Sequence, residues 1–74
     1  MVPKRNEVLK KIAKAAKAAG VEWVLVREGN HSLYRIGDQP RLIAIGHHRE
    51  FGNRYAEMVY KELEPTLGKW WWKR

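Results

Sequence analysis

Trp23-Val24-Leu25-Val26-Arg27-Glu28-Gly29-Asn30-His31-Ser32-Leu33-Tyr34-Arg35-Ile36 decides the fold. Two runs rich in Val, Leu, Trp and Tyr flank a Gly-Asn pair, the signature of a β-hairpin with a tight turn. The pattern predicts one strand over 22–28 and a second over 31–36, joined by Gly29-Asn30. Strand parity puts His31, Leu33 and Arg35 on one face and Ser32, Tyr34 and Ile36 on the other. Both sets mix polar and apolar residues, so parity alone leaves open which face is inside.

Downstream, Gly37-Asp38-Gln39-Pro40 supplies a turn and Arg41-Leu42-Ile43-Ala44-Ile45 a third strand. Connections this short imply an antiparallel meander. Upstream, Asn6 is the expected N-cap of a helix, with Glu7 favouring its positive end. Val8, Leu9, Ile12, Ala16 and Ala19 recur at helical spacing, and Gly20 is a ready stop. Lys10, Lys14 and Lys17 fall on the opposite side of this helix. After a loop over 46–52, Asn53 is expected to cap a second helix over about 54–64, which Pro65 would end. Tyr55, Ala56, Val59, Tyr60 and Leu63 line one side of it.

The order is α-β-β-β-α. The economical packing is an α+β domain: a three-stranded antiparallel sheet with two helices on one face. One domain over 1–74 is expected, with a Trp-rich tail at about 66–74. Within that tail, Trp70, Trp71 and Trp72 are expected to pack on the core or form an interface, with base stacking as the alternative.

A chain of 74 residues buries only about 60% of its unfolded surface, so binding falls to a shallow groove or is completed by a second subunit. Fifteen Lys and Arg against eight Asp and Glu give a net charge of +7, which attracts a polyanion such as nucleic acid. The absence of cysteine excludes disulfides, thiolate metal sites and a Cys nucleophile. Met1-Val2-Pro3-Lys4-Arg5-Asn6 lacks the apolar run of a signal peptide, and no stretch approaches the roughly 20 apolar residues of a membrane span. A soluble, cytoplasmic protein without membrane contact is expected.

Three histidines bear on chemistry. His31 follows the hairpin turn, with Arg27 and Arg35 in the flanking strands. RNA carries its own nucleophile, the 2′-hydroxyl, beside each phosphodiester. An imidazole near its ordinary pKa of about 6.5 suits proton transfer there, and a nearby cation steadies the phosphate. His47 and His48 are adjacent in a loop, a poor ligand spacing, so no metal and no cofactor are expected. Lys10, Lys14 and Lys17, with Asn30, are candidate RNA contacts.

Gly20, Trp23-Val24-Leu25-Val26-Arg27, Gly29-Asn30-His31 and Leu33-Tyr34-Arg35 resemble the HicA toxin family, as do Ile45-Gly46-His47-His48 and Glu50-Phe51-Gly52. The likeness covers residues 7–64. It implies a fold like that of double-stranded-RNA-binding domains and the activity of a small endoribonuclease that cuts mRNA. It also implies a HicB-type antitoxin as protein partner. It makes His31 the catalytic residue and His48 a second, less essential histidine. The turn is one residue tighter than the common pattern, Gly46 replaces the usual proline, and the Trp-rich tail is extra. Beside the toxin reading stand two others: a non-catalytic RNA- or DNA-binding module, and a basic protein-interaction domain. A homo-oligomer is compatible with each.

Overall fold

The computed structural model describes residues 3–73. Met1 and Val2 of the N-terminal stretch and Arg74 of the tail lie outside them. The chain runs α1 (Arg5–Ala19), β1 (Trp23–Arg27), β2 (His31–Ile36), β3 (Ile43–Gly46), α2 (Asn53–Glu62) and α3 (Glu64–Leu67), with a 3-10 turn over Trp71–Lys73. The three strands form one antiparallel sheet in the order β1-β2-β3.

Register decides the question that parity left open. Ser32 lies opposite Ile45, Tyr34 opposite Ile43 and Ile36 opposite Trp23. Ile36, Ile43 and Ile45 are buried together with Val8, Ile12 and Ala16 of α1 and Ala56, Val59 and Tyr60 of α2. Both helices therefore cover the same face of the sheet. The other face carries His31, Leu33, Arg35, Ala44, Val24 and Arg27. Trp23 stacks flat on Tyr34, with ring centroids 4.3 Å apart, and so shields the inner face towards the β1 edge.

Helix α1 buries Val8, Ile12 and Ala16, one residue every four, while Leu9 is half-buried and Ala19 is exposed. It ends where expected. Gly20 takes a φ of 72°, the left-handed region open to glycine, and its N–H reaches the carbonyls of Ala16 and Lys17. The helix starts differ from expectation. α1 begins at Arg5 with Lys4 as N-cap, not at Asn6, and no side chain caps it. Tertiary pairing sets this boundary. Lys4 bridges Glu50, the Arg5 N–H donates to the Arg49 carbonyl at 2.9 Å, and the Phe51 N–H donates to the Pro3 carbonyl at 2.9 Å. Gly52, not Asn53, precedes α2. Pro65 does not end α2, which turns at Leu63; it sits in the first turn of α3, where its missing N–H is harmless.

The hairpin also departs from the tight two-residue turn. Register slips between Leu25 and Arg27, so Val26 is an extra residue in β1. Glu28-Gly29-Asn30 then connects the strands, and none of the three has a positive φ, which the mirror-image hairpin turns require. The Glu28 carboxylate accepts a bond from the Ser32 hydroxyl and closes the turn through side chains. Strand β3 starts two residues late, at Ile43: β2 runs on to Ile36, but the Ile36 carbonyl accepts from the Gln39 N–H of the turn, and pairing begins only at Tyr34.

The tryptophans divide their labour. Trp71 is buried, edge-on to Tyr60 at 5.2 Å, and its indole N–H donates to the Tyr60 carbonyl at 2.8 Å. Trp72 is half-buried over the same ring. Trp70 is exposed, with the Lys73 ammonium 4.7 Å from its ring centre. Trp71→Ala is expected to cost about 3–5 kcal/mol, comparable to the whole net stability of so small a domain, whereas Trp70→Ala changes it by less than about 0.5. Urea titrations followed by circular dichroism check both.

Burial pushes the Tyr60 phenol above its ordinary 10.0, and the Glu7 carboxylate adds to the rise. The folded state thus holds this proton longer than the unfolded state does. The associated stability is present below about pH 10 and is lost as pH climbs from there through the raised value. Tyr60→Phe should flatten the alkaline decline of the urea midpoint.

Candidate active site

The lower end of the sheet gathers the polar chemistry. His31 opens β2 on the outward face, and its cross-strand partner is Gly46, which presents no side chain against it. The imidazole is exposed at the lip of a concavity of about 310 Å³, lined by Arg27, Gly29, Asn30, His31, Leu33 and Ala44. Arg27 reaches it through the bulge: with Val26 inserted, Arg27 pairs with Leu33 and falls on the outward face beside His31. Arg35 does not join them. It lies four residues along β2, about 13 Å away at the usual strand rise, and lines a separate hollow with Glu22, Asp38 and Pro40.

The turn that bears His31 is held from below. Arg5 donates from Nε to the Gly46 carbonyl at 2.8 Å and from Nη2 to the Ser32 hydroxyl at 2.9 Å, and Ser32 donates its own proton to Glu28. Gly46 also donates its N–H to the Tyr55 hydroxyl at 3.1 Å. Both backbone groups of Gly46 are thus satisfied by side chains on an edge where a fourth strand would otherwise pair. Ser32 is buried, so the alternation of β2 places a hydroxyl inside for this purpose.

His47 and His48 act apart from each other. His47 bonds through Nε2 to the Gly29 carbonyl at 3.0 Å; a carbonyl only accepts, so Nε2 carries the proton. This bond ties the 47–49 loop to the hairpin turn. His48 packs against Phe51 and Tyr55, at 4.6 and 4.9 Å between ring centres. Its ring lies over Gly46, so close that a Cβ there would come within 2.8 Å of it. His48 therefore sits one strand beyond His31, outside the concavity. Among the described residues, no group of three or more His, Cys, Asp or Glu is placed to hold a metal ion.

Lys10, Lys14 and Lys17 are exposed on the side of α1 that faces away from the sheet. The sheet lies between them and His31, which is on the face that the helices leave uncovered. Asn30, in contrast, lines the His31 concavity. Sequence reasoning missed Arg5, Ser32 and Glu28. The inward phase of Ser32 with Tyr34 and Ile36 was a readable signal; the reach of Arg5 across 41 residues was not. No family model, no curated protein and no solved structure matches this chain.

Arg5→Met removes two donors from partly buried acceptors. We expect a loss of about 1–3 kcal/mol in urea unfolding, with faster amide exchange at Gly46 and in the 28–31 turn.

Proposed function

We propose that this protein is a metal-independent endoribonuclease, the toxin of a toxin–antitoxin pair acting on mRNA in the cytoplasm. The observation that carries the reading is an exposed imidazole, His31, sharing one open concavity with the Arg27 guanidinium on the uncovered face of the sheet.

His31 takes the proton of a ribose 2′-hydroxyl. The 2′-oxygen forms a bond to phosphorus as the bond from phosphorus to the 5′-oxygen breaks. The departing 5′-oxygen is protonated by imidazolium or water. The products are a 2′,3′-cyclic phosphate and a 5′-hydroxyl. Arg27 pairs with the phosphate oxygens as charge gathers on them, a role that suits a planar guanidinium. Asn30 is placed to contact the ribose or base, and the nucleophile belongs to the substrate. One histidine is a sparse apparatus, so turnover is slow. An antitoxin offering acidic groups to the outward sheet face would cover the site, as the resemblance to the HicA family implies. A fold like that of double-stranded-RNA-binding domains belongs to the same reading.

One observation favours a second reading, a protein-interaction domain. Val24, Leu25 and Val26 stand exposed along edge strand β1, a surface suited to a protein partner.

A labelled RNA incubated with the purified chain in EDTA separates the two. Cleavage to cyclic-phosphate ends is expected. His31→Ala should lower it by at least about 10²-fold while keeping the wild-type melting curve. Arg27→Ala should lower kcat by about 10²-fold. Equal cleavage by wild type and His31→Ala refutes the catalytic assignment, and no cleavage by the wild type refutes the ribonuclease reading.

A further inference from the structure

A second concavity, of about 430 Å³, opens next to the first and is lined by Lys4, Arg5, Asn6, His47 and Arg49. Three of its five residues are Lys or Arg. The pairing of residues 3–5 with 49–51 builds it, bringing Lys4 and Arg5 to Arg49 across more than forty residues. Arg5 is committed to Gly46 and Ser32, so it forms the floor. Lys4 and Arg49 are exposed, and their side chains engage no other side chain among the described residues. Neither Glu7 nor Glu50 lines the cleft. Asn6 offers a carboxamide.

His47 gives this cleft its meaning. It lines the cleft, while its bond to the Gly29 carbonyl reaches the wall of the His31 concavity. The two hollows share one partition, the Gly29–His47 hydrogen bond. A strand lying over that partition meets His31 and Arg27 on one side and Lys4 and Arg49 on the other.

We propose that the Lys4/Arg49 cleft binds a backbone phosphate of the same RNA strand whose scissile linkage lies at His31. The inference rests on the ribonuclease reading and extends it: the substrate is a single strand that continues past the cut, held by a phosphate on one side of it. A dinucleotide that ends at the cut lacks this grip.

The test measures binding apart from cleavage. A fluorescein-labelled single-stranded RNA of twelve nucleotides is titrated against His31→Ala protein by anisotropy, from 50 to 200 mM KCl. In that background, Lys4→Ala with Arg49→Ala should weaken binding about tenfold or more. The slope of log K against log salt should become shallower by about 0.7 for each phosphate that the cleft no longer neutralises. Arg54→Ala with Lys61→Ala, which removes the same charge from exposed positions on α2, should change affinity less than twofold. Melting curves confirm that each variant folds. In the active chain, the cleft pair should raise KM for the twelve-nucleotide RNA while leaving the cleavage of a dinucleotide unaltered.

If the cleft pair binds and cleaves like its parent, or loses no more than the α2 pair, the cleft proposal is overturned while the ribonuclease reading stands. If the cleft pair weakens RNA binding but the wild type never cleaves, the cleft is upheld and catalysis falls. If no chain binds RNA, both fall together.

Discussion

The guanidinium of Arg5 stands where three segments meet. It projects from the first turn of α1, crosses beneath the end of the sheet and donates to the Gly46 carbonyl and the Ser32 hydroxyl. Burying a cation is unfavourable unless its donors are satisfied, and here two acceptors and the nearby Glu28–Ser32 bond take that part. The arrangement fixes the end of β3, the β1–β2 turn and the start of α1 relative to one another. Without it, the Gly46 carbonyl on the open edge would turn to water, and the turn that presents His31 would lose its footing.

That constraint explains why the site is polar on two sides of one plane. Inward from β2 lies the Arg5–Ser32–Glu28 chain; outward, at the neighbouring position, lies His31. Alternation along a strand delivers both from consecutive residues. The bulge at Val26 brings Arg27 to the same outward patch, and the missing Cβ of Gly46 leaves room for the His48 ring. The histidine pair then divides structurally: His47 anchors the turn, and His48 fills the angle between Gly46, Phe51 and Tyr55. Proline at Gly46 would lack the N–H that the Tyr55 hydroxyl accepts.

Much of the architecture is legible in the sequence, for local reasons. β2 has the ends its pattern predicts because His31 and Ile36 are bounded by glycine-containing turns on both sides. Gly20 ends α1 because left-handed backbone is a property of one residue. Boundaries set by distant chain are not legible in this way. Lys4 displaces Asn6 as the helix start because it pairs with Glu50, a fact no window of neighbours contains. The site follows the same rule. His31, Arg27 and Asn30 are close in sequence and come together in the fold. Arg35 shares their strand face but not their end, since parity carries no information about distance. Lys4 and Arg49 become neighbours only through the fold.

The clasp between residues 3–5 and 49–51 carries a consequence for biosynthesis. Contacts within the meander span few residues and close early, whereas the clasp closes a loop of more than forty and must wait for its far side. A growing polypeptide that has released α1 and the first hairpin already displays its imidazole, but the turn beneath it is unbraced and the neighbouring cations are scattered. The finished surface exists only after Phe51 has emerged, so the hairpin is made before the brace that completes it.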